Sequence, residues 1–273
     1  MTEIAVSDHY AREGLLDAIR RGLAAMGRTQ ETVTADDLAQ LDEFHVGGRV
    51  ATGALLDQLG IGRDGRVLDI GCGIGGAARL AARRYGARVT GIDMTATYVE
   101  TGRVLGGWLG LADRVALLEG SALALPFADA SFDAAWMLHV GMNVADKVAL
   151  CAEVRRVLRP GGAFGIYDIM RTGDGEIAYP VPWATEAAIS AVAAPEDYRR
   201  ALLAAGFAIA SERNRRDFAL DFFERARAAA AGGPPPLGIQ LLMGGSAAEK
   251  VRNMAAAIRA GTVAPVEIVA RAS

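Results

Sequence analysis

The chain is poor in the residues that metal and disulfide chemistry need. Among 273 residues there are two cysteines, Cys72 and Cys151, and three histidines, His9, His45 and His139, far apart in sequence. Two thiols in a chain of this length suggest a reducing compartment rather than a disulfide framework. No His/Cys cluster has metal-ligand spacing, so no metal is expected. No apolar run approaches the roughly 20 residues of a membrane span. The opening MTEIAVSDHY lacks the basic segment and apolar run of a secretion signal. A cytoplasmic protein without a membrane anchor is the expectation. A block of positive charge is also missing. Net charge is -3, and the pairs Arg20-Arg21, Arg83-Arg84, Arg155-Arg156, Arg199-Arg200 and Arg215-Arg216 are scattered. Generic nucleic-acid binding therefore has no electrostatic support, and the pairs read as solvated helix faces.

What is present is apolar and glycine-rich. Hydrophobic residues make up 52% of the chain and charged residues 22%. That is enough for a sizeable core in one α/β domain. The organising stretch is RVLDIGCGIGGAAR, Arg66 to Arg79. Val67-Leu68-Asp69-Ile70 has the length and β-branching of a buried strand, and Ala77 to Arg84 is rich in good helix formers. Between them lie Gly71, Gly73, Gly75 and Gly76, which let the backbone turn sharply and come close to a ligand. Gly71, Gly73 and Gly76 also fit the dinucleotide fingerprint, so the glycines alone do not choose a cofactor; a turn that merely packs helix on strand is the plainer alternative. Asp69 tilts the choice. A carboxylate at the strand's carboxyl end opposes a pyrophosphate but tolerates a cation.

The segment LDIGCGIG, Leu68 to Gly75, closely resembles the first motif of the class I S-adenosylmethionine-dependent methyltransferases. The stretch RRVLRPGGAFGIYDIM around the fifth strand resembles the same family. The resemblance implies a doubly wound, seven-stranded, mostly parallel α/β sheet with its last strand antiparallel. It also implies methyl transfer from S-adenosylmethionine to a small-molecule acceptor by in-line displacement, leaving S-adenosylhomocysteine. The methyltransferases acting on sarcosine and dimethylglycine are the similar small-molecule type. One domain is expected over 1–273: helices covering the cofactor over 1–60, the cofactor-binding core over 61–170, and acceptor-side insertions with the last strands over 171–273.

Taken in order, Leu15, Leu16, Ile19 and Leu23 give an amphipathic helix over 8–26, and a second helix starts near Thr34. Tyr10, His45 and Gly47 are candidates for contact with the methionine end of the cofactor, by resemblance. A helix from Ala51 to Leu59 leads into the first strand. The second strand, Arg88 to Ile92, ends at Asp93, about 20 positions beyond the glycine turn, where an acidic residue accepts from ribose hydroxyls. Met94 would lie along the adenine. In the third-strand segment, Val115 to Phe127, the family's acidic adenine contact is replaced by Ser121, followed by Ala122. Strand four, Phe132 to Leu138, delivers His139 to the crevice where ligands sit, with Met142 and Asn143 beyond it. His139 is the first candidate for a base or site-lining group, and Tyr179 the second. A helix from Ala145 to Leu158 stops at Pro160-Gly161-Gly162, and strand five follows over Ala163–Ile169. Tyr179 and Trp183 lie in a proline-interrupted segment that resembles the acceptor-pocket segment of the sarcosine-type methyltransferases, and the resemblance implies that they wall the acceptor pocket. A helix over 195–205, a sixth strand over 207–210, helices over 216–262 broken at Gly232 to Pro236, and a last strand over 266–270 complete the chain.

Two rivals follow from the same residues. A nicotinamide-dependent oxidoreductase explains the glycines and Asp93 but not Asp69. A protein that binds S-adenosylmethionine without catalysis would carry the same binding residues. Nitrogen, oxygen, carbon and sulfur acceptors are all compatible with these residues.

Overall fold

The computed structural model describes residues 3–229 and 235–273. The order is α1 (Glu3–Tyr10), α2 (Leu15–Ala25), α3 (Ala39–Asp42), α4 (Gly48–Leu56), β1 (Arg66–Ile70), α5 (Gly76–Tyr85), β2 (Arg88–Asp93) and α6 (Ala96–Trp108). There follow β3 (Val115–Glu119), β4 (Phe132–Leu138), α7 (Lys147–Val157), β5 (Leu158–Arg171), α8 (Pro195–Ala204) and β6 (Phe207–Asn214). The last elements are α9 (Arg216–Ala229), α10 (Gln240–Met243), α11 (Ala247–Arg259) and β7 (Val263–Ala272).

The seven strands form one sheet in the order β3-β2-β1-β4-β5-β7-β6. The first five in sequence pair in parallel, with Asp69 opposite Gly91 on one side and Trp136 on the other. β7 runs antiparallel between β5 and β6. This is the doubly wound sheet expected from the sequence. The chain winds from β1 outward to β3, then returns to β4 on the other side of β1. The two adjacent strand ends diverge there, and the crevice opens at the carboxyl ends of β1 and β4.

Each face of the sheet has its own core. Leu150, Val154 and Leu202 from α7 and α8 pack on Phe164 and Ile166 on one side. Leu55, Leu56, Ala78 and Ala81 from α4 and α5 pack on Trp136 and Tyr167 on the other. Burying one such Leu contributes roughly 1.5–3 kcal/mol. α7 starts at Asp146, whose carboxylate accepts from the Ala149 N–H at 2.8 Å, and ends with Arg155 and Arg156 beside its C-terminal carbonyls. The N-terminal helices form a third cluster, in which Leu15, Ile19 and Leu23 meet Leu38, Leu105 and Leu242.

Several boundaries differ from the sequence reading, for physical reasons. The helix expected over 8–26 is two helices, broken over Ala11–Gly14, where Gly14 has φ of 67°. The apolar stripe Leu15-Leu16-Ile19-Leu23 belongs wholly to α2, and α1 carries none of it. From Thr34 the chain makes turns, because the Asp37 carboxylate accepts from both the Thr34 N–H and hydroxyl, and helix appears only at α3. α4 starts and ends three residues earlier than the helix expected over Ala51–Leu59. Strand pairing begins at Leu158, before Pro160, and the register shift between Phe132 and Ala134 accommodates the extra residues up to Ala163 as a bulge. β6 and β7 each run longer than expected. The expected break at Gly232 to Pro236 falls in part on Gly232, Gly233 and Pro234, which lie outside the described residues. Among the described residues no helix is long and apolar enough to cross a membrane.

Candidate active site

A cavity of about 350 Å³ opens at the carboxyl ends of β1, β2 and β4. Its floor is the glycine turn. Gly71, Gly73 and Gly75 have φ of 65°, 53° and 79°, a left-handed run that L residues with a Cβ resist. The N–H groups of Gly71 and Cys72 both donate to the Ile92 carbonyl, which ties the turn to β2. A Cβ on Gly71 would strike Val140, whereas one on Gly73 would meet nothing nearer than Tyr98 at 3.9 Å. Gly73 therefore faces open space, where a ligand can approach the backbone. Gly75 does not line the cavity; its Cα is packed under Leu117, and its part is to turn the chain into α5.

Two carboxylates flank this floor. Asp69 is 2% exposed, and its Oδ2 has no hydrogen-bond partner among the described residues. Burial pushes its pKa well above the ordinary carboxylate range, against the pull of the Trp136 indole N–H and with Asp93 and Glu43 adding repulsion. An unpaired buried acceptor at a cavity wall is suited to a cationic or N–H-bearing ligand group. Asp93 accepts from the Gly73 N–H at 2.8 Å and the Thr95 N–H at 2.9 Å. Each oxygen keeps a second lone pair, so the pair can still accept from a vicinal diol. Burial raises the Asp93 pKa, against the pull of those two N–H groups.

Met94 and Ala122 line the cavity. Ser121 is a correction. It does not line the cavity; its hydroxyl donates to the Glu3 carboxylate of α1 and accepts from the Leu123 N–H at 3.0 Å. Its part is to anchor the covering helix, while its neighbours Gly120 and Ala122 line the cavity.

At the opposite end stands His139, with φ of 56°, a strained value for a residue with a Cβ. Its N–H donates to the Tyr167 carbonyl at 2.7 Å, its ring stacks on Tyr167 at 5.3 Å, and its Nε2 is buried without a partner among the described residues. Burial, with His45 nearby, pushes its pKa well below the usual histidine value, so the ring is neutral at pH 7. His45 also lines the cavity, 5.8 Å from the His139 ring. Its Nε2 is 3.0 Å from Thr52 Oγ1 and 3.2 Å from the Gly48 carbonyl, and burial lowers its pKa to about 4. Met142 and Asn143 are on the wall, in the 3-10 turn after His139. Beneath that turn the Tyr198 hydroxyl donates to Asp168 Oδ2 at 2.6 Å, and burial raises Asp168 to about 6.

α1 forms the roof. Tyr10 lines the cavity, and its hydroxyl donates to Asn143 Oδ1 at 2.9 Å; Ser7 donates to the Met94 carbonyl at 3.2 Å. One short helix is thus fastened to the loops after β2, β3 and β4.

Three expectations are corrected. Gly47 lies off the cavity; its φ of 90° starts α4, and a side chain there would strike Phe218. Trp183 is wholly buried behind the wall, with Nε1 on Ser190 Oγ at 3.0 Å and its carbonyl accepting from Asn143 Nδ2 at 2.8 Å. Tyr179 packs into the same cluster and not against the cavity, so it is not placed as a base. From that segment only Pro182 reaches the wall.

Sequence reading missed Asp42, at the end of α3, and Glu43-Phe44 after it, which line the cavity together with Tyr98. Asp42 pairs with Arg79, whose side chain is 1% exposed and donates on to the Ile74 carbonyl at 2.6 Å. Glu43 gives one oxygen to Thr52 at 2.7 Å; the other, Oε1, is buried without a partner. The only signal in the sequence is an acidic pair beside Phe44-His45. The described residues hold no group of three or more His, Cys, Asp or Glu able to bind a metal.

Residues 68–166 match the sequence model of a methyltransferase domain. A sterol 24-C-methyltransferase of Gibberella zeae is 36% identical over 118 residues, covering 43% of this chain and 31% of that protein. The methyltransferase GfsG of Streptomyces halstedii is 36% identical over 137 residues, covering 50% of this chain and 49% of that one. The matched stretch thus spans less than half the length of these curated relatives. Among solved structures, geranyl diphosphate C-methyltransferase from Streptomyces coelicolor A3(2) superposes with a TM-score of 0.68 at 24% identity, covering 83% of this chain and 76% of that one. A putative sarcosine dimethylglycine methyltransferase from Galdieria sulphuraria gives 0.64 at 21% identity, covering 82% and 84%. These likenesses show the fold.

Proposed function

We propose that this chain binds S-adenosylmethionine in the cavity under α1 and transfers its methyl group to a small-molecule acceptor. The observation that carries the reading is the paired carboxylates of the floor. Asp69, with its unpartnered buried Oδ2, suits the cofactor's ammonium group, and Asp93 suits the ribose diol. A pyrophosphate would meet both carboxylates at close range, which argues against a dinucleotide. The match of residues 68–166 to a methyltransferase domain agrees.

The bound cofactor supplies a methyl group on a sulfonium that is already a good leaving group. The chain's task is to align the acceptor, exclude water and manage its proton. Gly73 lets the backbone approach, and Met94 and Ala122 flank the ring end. α1 closes the roof through Tyr10, Asn143 and Ser121. At the acceptor end, neutral His139 offers Nε2 and Glu43 offers Oε1, two free acceptors able to take a proton from an amine or hydroxyl. Met142, Asn143 and Pro182 shape that end.

Calorimetry with S-adenosylhomocysteine, and separately with a nicotinamide dinucleotide, tests the reading. Binding of the first alone supports it; binding of the dinucleotide alone overturns it. A chain that binds the cofactor should then methylate members of a panel of small amines, phenols and carbon acids. His139→Ala should lower turnover more than cofactor affinity, and unchanged turnover would remove His139 from the chemistry.

A further inference from the structure

A second cleft, of about 610 Å³, lies outside the cofactor cavity, between the α1–α2 turn and the α10–α11 turn. Lys250, on the first turns of α11, lines it and is 2% exposed. Its ammonium has three N–H donors and, among the described residues, makes one long hydrogen bond, 3.4 Å to the Met243 carbonyl. Arg12 Nη2 donates to that same carbonyl at 3.1 Å, and Arg12 Nε is buried with no partner. Two cations thus converge on one neutral oxygen, and among the described residues neither forms an ion pair with a carboxylate. Lys250 is buried and Arg12 half-buried, and charge withdrawn from water without a counter-charge is costly. Gly244-Gly245-Ser246 leads from this point into the N-terminus of α11, whose dipole adds positive potential. His9 also faces the cleft, with Nε2 3.0 Å from the Pro182 carbonyl. Asp8 and Glu186 stand on the rim, both exposed to solvent, where water screens them.

We propose that this cleft binds a phosphate- or carboxylate-type anion between Lys250, Arg12 and the start of α11, and that the bound anion fastens α1 in its closed position. Arg12 lies two residues past the end of α1, and its guanidinium already reaches the His9 and Ala11 carbonyls as well as Met243. An anion bridging Arg12 to Lys250 would lock the end of the roof helix onto α11. The anion is either a free oxyanion or the anionic group of a larger ligand reaching over from the main cavity, which Pro182 borders.

The test titrates the full-length protein with inorganic phosphate and with phenyl phosphate, by calorimetry and thermal melting. Phosphate should bind in the millimolar range, raise Tm by about 3 °C at tenfold excess over its Kd, and slow amide exchange in residues 3–12. Equal affinity for the two probes marks a free oxyanion; at least about tenfold tighter phenyl phosphate, an order-of-magnitude step in Kd, marks a larger ligand. Lys250→Met should keep or raise Tm without phosphate, since an apolar residue suits a dry site, and lose the phosphate response. Arg12→Gln should weaken phosphate binding as a second, conservative variant. Absence of heat and of a Tm shift at tens of millimolar phosphate overturns the proposal, as does Lys250→Met binding phosphate as tightly as the parent. Neither readout requires the cofactor, so failure here leaves the methyltransferase reading intact.

Discussion

Asp93→Ala separates the ligand role of that carboxylate from its structural one. A carboxylate has about four acceptor sites; two of them take the Gly73 and Thr95 N–H groups. The remaining two are what a ribose diol would use. A hydrogen bond to a charged acceptor contributes roughly 1.5–3 kcal/mol net, so losing both costs about 3–6 kcal/mol. The lower part of that range raises the Kd of S-adenosylhomocysteine about 100- to 1000-fold. The substitution also leaves two main-chain N–H groups without acceptors. Water in the cavity can reach them, so the stability loss lies near about 2 kcal/mol, or a Tm lower by roughly 4–8 °C. Asp93→Asn keeps one acceptor oxygen and should weaken binding by about tenfold, on the net value of a single neutral bond. Calorimetry gives the Kd and scanning calorimetry the Tm of each variant. A Kd within about threefold of the parent, a shift below one neutral hydrogen bond, together with the lowered Tm, would refute the ribose assignment and leave Asp93 as a staple of the glycine turn.

Three further outcomes are expected. Asp42→Ala strands the buried Arg79 guanidinium and should cost about 3–5 kcal/mol in urea unfolding; adding Arg79→Met should recover part of it, and strict additivity would show that the pair is not coupled. Asp168, raised to about 6, holds more protons folded than unfolded between pH 4 and 6, so the parent loses stability as pH rises through that window. Asp168→Asn lacks this loss, and its stability relative to the parent should improve by about 2 kcal/mol from pH 4 to 6.5; a flat difference would contradict the shift. Tyr10→Phe removes the roof's bond to Asn143 and should speed S-adenosylhomocysteine release about 5- to 10-fold in stopped flow, the worth of one net hydrogen bond, and an unchanged rate would mean that the roof opens elsewhere.

What the sequence made legible was whatever depends on neighbours in the chain. The glycine turn, Asp69 and Asp93 sit at fixed offsets from β1 and β2, so local pattern was enough to put them on the cavity floor. His139, Met142 and Asn143 follow from the end of β4 in the same way. The acceptor side was less legible. Tyr179 and Trp183 look alike as pocket walls or as core, and only tertiary packing sends Trp183 into the core beside Met254 and Ile258. Asp42 and Glu43 take their meaning from Arg79, 37 positions away, and from Thr52. The break before α2 turns on Gly14, an unmarked glycine in a stretch whose hydrophobic stripe begins only at Leu15. Ser121 stood where an acidic contact was expected, and its actual partner, Glu3, lies 118 positions away.

The position of β7 has a consequence for biosynthesis. β6 touches the sheet only through β7, which is inserted between β5 and β6. On the ribosome β6 emerges first, then α9, α10 and α11, before any partner strand for it exists. Throughout that interval β5 presents an open edge rich in apolar residues, Phe164, Ile166 and Ile169 among them, and β6 has nowhere to pair. The nascent chain is therefore most open to aggregation and to chaperone capture between synthesis of β6 and of β7. A slow-translating codon run placed there would lengthen the exposure.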